Sequence, residues 1–178
     1  MRRVSHLLQI LEDYDIQQGD LPFGVGDMAL DELVQQHAFA AGFSDRQIAS
    51  LAAIAEEVRF EADEVVLLDG QRSSAFYLLI SGSVVVELCT PRYAVSVQAL
   101  GAGQVFGWSS LLDRQDTLFQ VRAREETRAL RLNGEELKDL CRSDRALAAE
   151  IFQRTLNVVA SRVKATELKF AEMCGVRV

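Results

Sequence analysis

The stretch from Leu100 to Leu112, LGAGQVFGWSSLL, holds the residues best suited to contact a ligand. Its glycines allow the backbone to approach a bound molecule closely, and its serine hydroxyls can both donate and accept hydrogen bonds. No acidic or basic side chain occurs in it. The pattern therefore predicts a binding loop without a charge of its own. Its candidate residues are Phe106, Gly107, Trp108, Ser109 and Ser110.

Residue types that build metal sites or catalytic clusters are sparse and scattered. His6 and His37 are far apart, and Cys89, Cys141 and Cys174 form no C-x-x-C pair. Zinc sites and metal-dependent hydrolases need such ligands at short, regular spacings. We therefore expect no metal site and no catalytic residues, which disfavours an enzyme such as a metal-dependent oxygenase on a small β-roll.

Composition and charge limit the classes of partner. The 178 residues are 49% hydrophobic and 25% charged, which is typical of a soluble globular protein. The net charge is −7 and no cluster of lysine and arginine is present, whereas nucleic-acid binders usually carry a basic face. The apolar runs are far shorter than the ~20 residues of a membrane helix, and the start lacks a signal peptide's apolar core. We expect a cytoplasmic protein that binds neither nucleic acid nor membrane.

The periodicity of the chain changes twice. Residues 1–27 are predicted to form an N-terminal arm and linker, and residues 28–178 a single domain with helices over 28–58, a β-roll over 59–133 and C-terminal helices over 134–178. Ser44 followed by Gln47 predicts a capping box at a helix start. The segment SAFYLLISGSVVVELCT contains two β-prone runs about a Ser-Gly pair and predicts a hairpin.

Short strands with glycine turns, and no helices between them, favour antiparallel sheets. The predicted fold class is therefore α+β, an antiparallel, jelly-roll-like β-roll flanked by N-terminal helices and a long C-terminal helix.

The long C-terminal helix carries apolar residues at alternating steps of four and three, with Thr166 as the one polar member. This spacing is typical of a coiled-coil seam and predicts a homodimer. The alternative is that the stripe packs on the chain's own β-roll. A second stripe of Leu147, Ile151 and Val158 leaves both possibilities open. The predicted seam residues are Phe152, Leu156, Val159, Val163 and Phe170.

The order of these pieces resembles a known family. YLLISGSV, then LGAGQVFG, then VRA and a long helix is similar to the cyclic nucleotide-binding domain of the catabolite-activator family of bacterial regulators, over roughly Leu33 to Phe170. The resemblance implies a roll whose ligand pocket is closed by the long helix, which pairs with its twin. It also implies that the loop after Phe106 and Gly107 cradles a cyclic phosphate.

The charged residues that the resemblance calls for are missing. Trp108 stands where the family has the glutamate that holds the ribose, and Thr117 where it has the phosphate-binding arginine. Leu118 replaces that arginine's small hydroxylated neighbour, and Thr166 falls on a helix position whose hydroxyl approaches the purine. Since a charge-assisted hydrogen bond contributes ~1.5–3 kcal/mol, the loss of both charges weakens cyclic AMP binding by about 3–6 kcal/mol. Trp108 either fills the emptied pocket or stacks on a flat ligand.

These observations favour a non-catalytic regulatory or sensor module with a degenerate phosphate cassette that acts on a separate partner protein. Since the family's transcription factors continue into a helix-turn-helix domain and this sequence stops at Val178, we expect a stand-alone form. The alternative is a pocketless interaction or scaffold subunit of a complex. A true cyclic nucleotide binder is a remote alternative. No cofactor is certain, and a cyclic nucleotide or another small ligand remains open.

Overall fold

The computed structural model describes residues 28–112, 116 and 119–175. The arm predicted over residues 1–27 and the candidate pocket residues Thr117 and Leu118 lie outside the described residues. The helices are α1 Leu30–Gln36, a 3₁₀ helix Ala38–Ala40, α2 Asp45–Ala52, a second 3₁₀ helix Trp108–Leu111, α3 Gly134–Ser143 and α4 Arg145–Met173. The strands are β1 Ala55–Phe60, β2 Val65–Leu67, β3 Ala75–Ser81, β4 Ser83–Cys89, β5 Ala94–Gly101, β6 Val105–Phe106, β7 Phe119–Ala123 and β8 Thr127–Asn133.

The eight strands form two antiparallel sheets, which confirms the predicted β-roll flanked by helices. One sheet has the order β1-β8-β3-β6 and the other β2-β7-β4-β5. Both faces of β3 are buried, because Phe76 and Leu78 pack with the helices while Tyr77 and Leu79 pack between the sheets. The roll therefore has an inner core of its own and a second core under the helices.

The predicted hairpin of β3 and β4 is wrong. β3 pairs with β6 and β8, whereas β4 pairs with β5 and β7, so the two consecutive strands lie in different sheets. Gly82 joins them with φ of 76°, and a Cβ atom there would lie 2.4 Å from the carbonyl oxygen of Glu126. The Ser-Gly pair is thus a tight passage from one sheet to the other, which only glycine fits.

The first strand begins earlier than expected. The capping box at Ser44 is present, since the Ser44 N–H donates to Gln47 Oε1 at 2.9 Å and the Gln47 N–H to Ser44 Oγ at 3.4 Å. Helix α2 ends at Ala52, however, and β1 starts at Ala55, where the sequence predicted helix to residue 58. Pairing with β8 across the sheet outweighs the helix preference of the Ala-Glu-Glu segment.

Helix α4 separates two faces along its length. Its inward face is buried against the body of the chain at Leu147, Ile151, Thr155 and Arg162. The predicted seam lies on another face, so the alternative in which that stripe packs on its own roll is wrong. Val159 is half-buried, and the other seam residues are exposed: Phe152 50%, Leu156 65%, Val163 51% and Phe170 69%.

Candidate functional site

The candidate loop is held tightly against β3. Phe106 at the end of β6 is buried, and its ring stacks on Tyr77 with a centroid separation of 4.6 Å and an interplanar angle of 7°. Gly107 follows with φ of 80°, and a Cβ atom there would lie 2.3 Å from the carbonyl oxygen of Ala75. Glycine is therefore required at this position to bring the 3₁₀ helix Trp108–Leu111 over the mouth of the roll.

The two serines of the loop face different surroundings. Ser109 is buried, and its Oγ accepts a hydrogen bond from the Ser73 N–H at 3.4 Å. Ser110 is also buried and packs against the start of α3, where a Cβ atom on Gly134 would lie 2.9 Å from the Ser110 Cβ. The Ser110 Oγ has no hydrogen-bond partner among the described residues. Ser109 reaches the inside of the roll, whereas Ser110 serves the contact with α3.

A small cavity of about 50 Å³ lies inside the roll beside this loop. Its walls are mostly apolar and include Leu67 of β2, Val86 of β4, Val121 of β7 and the half-buried residue Trp108. The volume is close to that of one or two water molecules at about 30 Å³ each, whereas small-molecule pockets span about 300–1,000 Å³. The cavity as it stands has room for a small group and not for a whole nucleotide.

The structure brings together four of the predicted pocket residues, since Phe106, Gly107, Trp108 and Ser109 all line this cavity. Thr166 does not line it. The Thr166 hydroxyl instead donates to the Arg162 carbonyl oxygen at 2.9 Å, within its own helix.

Arg162 of α4 forms part of the cavity wall. The sequence predicted Thr166 in this role, which lies one helical turn later in the same helix. The residue Arg162 is 8% exposed, and its Nε and Nη2 atoms are buried without a hydrogen-bond partner among the described residues. Burial lowers the pKa of Arg162 to about 10, so the guanidinium still carries its charge at neutral pH. The sequence held one signal for this residue, since a charge at position 162 interrupts the otherwise uncharged stripe through Ile151, Thr155 and Val158.

A wider groove of about 570 Å³ runs outside the roll, between α4 and strand β5 with its following turn. Its lining includes Leu100 and Val105 from the roll, Asn157 and Val158 from α4, and again Arg162. Arg162 therefore stands between the inner cavity and an open groove. A molecule in the groove has a short route to the guanidinium.

Two kinds of site are not found in the part of the chain that the structure describes. No three histidine, cysteine, aspartate or glutamate side chains lie close enough to hold a metal ion there. Within the same residues, no helix has the length and the apolar character that crossing a membrane requires.

Comparisons with known proteins agree with this architecture. Residues 57–144 match the family model of the cyclic nucleotide-binding domain. A candidate potassium channel protein of Rhodopseudomonas palustris is 27% identical over 145 residues, which are 75% of this chain and 35% of that protein. The chain thus spans about a third of the length of the curated relative it matches.

Solved structures repeat the same fold at low sequence identity. A candidate cyclic nucleotide-binding protein from Geobacter metallireducens superposes with a TM-score of 0.67 at 23% identity, covering 77% of this chain and 99% of that one. The catabolite activator protein of Thermus thermophilus superposes with a TM-score of 0.62 at 20% identity, covering 77% of this chain and 63% of that one. Residues 57–144 therefore belong to the cyclic nucleotide-binding domain family, and the roll, its loop after Phe106 and Gly107 and the closing helix share the fold of the solved structures.

Proposed function

We propose that the chain is a non-catalytic sensor module, in which a small ligand bound beside Trp108 alters the contact between α4 and the roll. The observation that carries this proposal is the position of Arg162, which belongs to the long helix and lines the inner cavity. A ligand in the cavity then contacts a side chain that belongs to α4. Binding changes the position of α4, and α4 passes that change to a separate partner protein.

The ligand differs from cyclic AMP bound in the usual manner of the family. By the resemblance, Trp108 takes the place of the ribose-binding glutamate and Thr117 that of the phosphate-binding arginine, which supports a degenerate phosphate cassette. The cavity volume of about 50 Å³ is also too small for a nucleoside without rearrangement of its walls. Both observations favour a smaller or differently shaped ligand.

An interaction subunit without a ligand is the second candidate, and the small size of the cavity favours it.

Native mass spectrometry of protein purified from its own host distinguishes the sensor from the interaction subunit. The sensor proposal expects a retained small molecule, or a mass shift with a host metabolite extract, that is lost when Val86 and Val121 are changed to Phe to fill the cavity. Cyclic AMP is expected to give no heat of binding at micromolar protein in calorimetry. Protein that retains nothing and binds nothing from the extract would support the subunit instead.

Homodimerisation through α4 is the output that we propose for the exposed stripe of Phe152, Leu156, Val163 and Phe170. Large apolar side chains repeated along one solvent-facing stripe are typical of an interface. A change of Val159 and Val163 to Glu should give folded monomers, because like charges would face each other across a two-fold axis. Sedimentation velocity measures the change.

The matched control is Lys164→Glu, an exposed position beside the stripe, which should leave the dimer intact. A wild-type protein that stays monomeric at high micromolar concentration would contradict the dimer, and unfolded double-glutamate protein would show that the stripe stabilises the monomer itself.

A further inference from the structure

The guanidinium of Arg162 is the strongest unexplained feature of the molecule. The residue is more than nine-tenths buried, and the Nε and Nη2 atoms of its guanidinium have no hydrogen-bond partner among the residues that the structure describes. An unpaired charge removed from water is costly, and buried charges in proteins are normally paired. A side chain kept in this state is expected to gain a partner at some stage of the protein's function.

The geometry of the two unpartnered atoms indicates what kind of partner fits. Nε and Nη2 form one edge of the planar guanidinium, and their N–H groups point in the same direction. This edge matches the two oxygens of a carboxylate or phosphate, which accept a pair of parallel hydrogen bonds from it. A neutral hydroxyl or a single carbonyl oxygen would accept only one of these two hydrogen bonds.

We propose that Arg162 is the anion receptor of the sensor cavity, and that its Nε–Nη2 edge binds the carboxylate or phosphate group of a small ligand. The inference rests on the proposed sensor function and names the chemical class of its ligand. The positive charge comes from α4, so the residue that binds the anion lies on the helix that carries the signal.

The surroundings of Arg162 limit the rest of the ligand. The inner cavity holds about 50 Å³ between apolar side chains of Leu67, Val86 and Val121, which suits a short apolar portion next to the anionic group. Among the residues that the structure describes, no carboxylate lines that cavity to receive ribose hydroxyls. Arg162 also lines the outer groove, so a longer molecule can enter from there. The ligand class is therefore a small carboxylic acid or phosphate monoester.

The chain contains its own reporter for the test. Trp108 is the single tryptophan of the sequence and lines the same cavity as Arg162. The full chain is titrated with inorganic phosphate, acetate and hexanoate, and with adenosine as an uncharged nucleoside, at an ionic strength held constant with sodium chloride. Tryptophan fluorescence and the thermal unfolding midpoint are recorded at each step.

The expected result is a saturable fluorescence change and a raised unfolding midpoint with at least one of the three anions. Arg162→Met should abolish both responses. Arg162→Lys keeps the charge without the planar edge and should weaken the apparent affinity at least tenfold, since one charge-assisted hydrogen bond is lost. Phosphate alone, or the carboxylates alone, would identify the source of the anionic group.

Four outcomes would overturn the inference. If Arg162→Met responds to the anions as strongly as the wild type does, the anion binds elsewhere. If the wild type responds to adenosine and to no anion, the sensor binds a neutral ligand. A dimer that Arg162→Met dissociates in sedimentation would make the second copy the partner of Arg162. If none of the four probes changes the fluorescence or the unfolding midpoint of the wild-type protein, Arg162 is not an anion receptor. The sensor function is tested separately, and a search by native mass spectrometry that finds no retained ligand would contradict it.

Discussion

Helix α4 contributes one arginine to each of two regions of the molecule, and the two arginines differ in whether their nitrogens are hydrogen-bonded. The anchored region consists of His37, Phe39 and Arg154, where α4 meets the 3₁₀ helix Ala38–Ala40. The cavity region consists of Trp108 and Arg162. Arg154 uses all three of its nitrogens, donating to the Phe39 and Ala41 carbonyl oxygens at 2.5 and 2.8 Å and to the Glu150 carboxylate at 3.1 and 3.3 Å.

Arg162 lies eight residues further along the same helix and has no such partners among the described residues. Folding alone favours the first arrangement, because buried polar groups in native proteins are normally hydrogen-bonded. The second arrangement gives up stability at one position. The difference indicates that the anchored region fixes α4 to the body, whereas the cavity region is kept ready for a ligand.

His37 shows how a titratable side chain is accommodated in the anchored region. Its Nδ1 accepts a hydrogen bond from the Phe39 N–H at 3.1 Å, so the proton of the neutral ring lies on Nε2, which donates to the Leu79 carbonyl oxygen at 3.1 Å. Burial lowers the pKa of His37 to about 4. The ring thus avoids an unpaired charge by losing its proton, which an arginine cannot do at neutral pH.

Acid should destabilise the anchored region, and this is the largest change in the free energy of unfolding that we expect. The pKa of His37 is about 4 in the folded chain and about 6.5 in the unfolded chain, so the unfolded state binds the extra proton first. The stabilisation is complete above pH 6.5 and is lost as the pH falls to 4. The loss is about 3 kcal/mol in the free energy of unfolding, measured by urea denaturation across this range.

The control for this prediction is His37→Gln, which can keep one hydrogen bond and cannot titrate. Its stability should be lower at neutral pH and flatter between pH 6.5 and 4. Parallel slopes for the two proteins would show that other groups cause the acid sensitivity.

Arg154→Met tests the same region at neutral pH, and we expect it to lower the free energy of unfolding by about 2 kcal/mol. It removes charge-assisted hydrogen bonds to two main-chain carbonyl groups and the contact of the guanidinium with the Phe43 ring, 4.4 Å from the centroid. Urea denaturation provides the measurement.

The matched control is Arg142→Met on α3, where the ion pair with Asp139 is largely exposed and its loss should change stability by less than about 0.5 kcal/mol. An equal effect of both substitutions would show that Arg154 does not anchor α4.

The sequence predicts best what depends on local pattern. The alternating strands, the capping box at Ser44 and the loop from Phe106 to Ser109 follow from neighbouring residues, and so does the exposed face through Phe152 and Val163. These features need no knowledge of which distant segment lies opposite. The confirmed antiparallel roll follows from them together.

What the sequence missed depends on contacts between distant segments. The partners of β3 and β4 are set by strands that come later in the chain, so two β-prone runs about Gly82 gave a false hairpin. The start of β1 depends on ion pairs of Glu56 with Arg131 and of Glu57 with Arg128, at 3.2 and 2.8 Å across the sheet. Arg162 was missed for the same reason, because its burial follows from strands that precede it by many residues.

Arg162→Met should have a smaller effect on stability than Arg154→Met and the opposite sign, and so gives the sharpest test of the comparison between the two regions. Methionine has a similar length and an adaptable apolar side chain, and it would meet the apolar walls of the cavity in place of an unpaired charge. Replacing a buried charge by an apolar group of similar volume is often neutral or stabilising.

We expect the free energy of unfolding to stay constant or rise by about 1 kcal/mol in urea denaturation without added anions. Arg162→Lys keeps a buried charge and should show no gain, and Arg162→Ala should be destabilised because it leaves a larger cavity. A loss with Arg162→Met as large as that with Arg154→Met would mean that Arg162 has a partner in the free protein, and the two regions of α4 would then be alike. A gain in stability together with a lost anion response would show that this residue trades stability for binding, since the same substitution then improves the fold and removes the ligand.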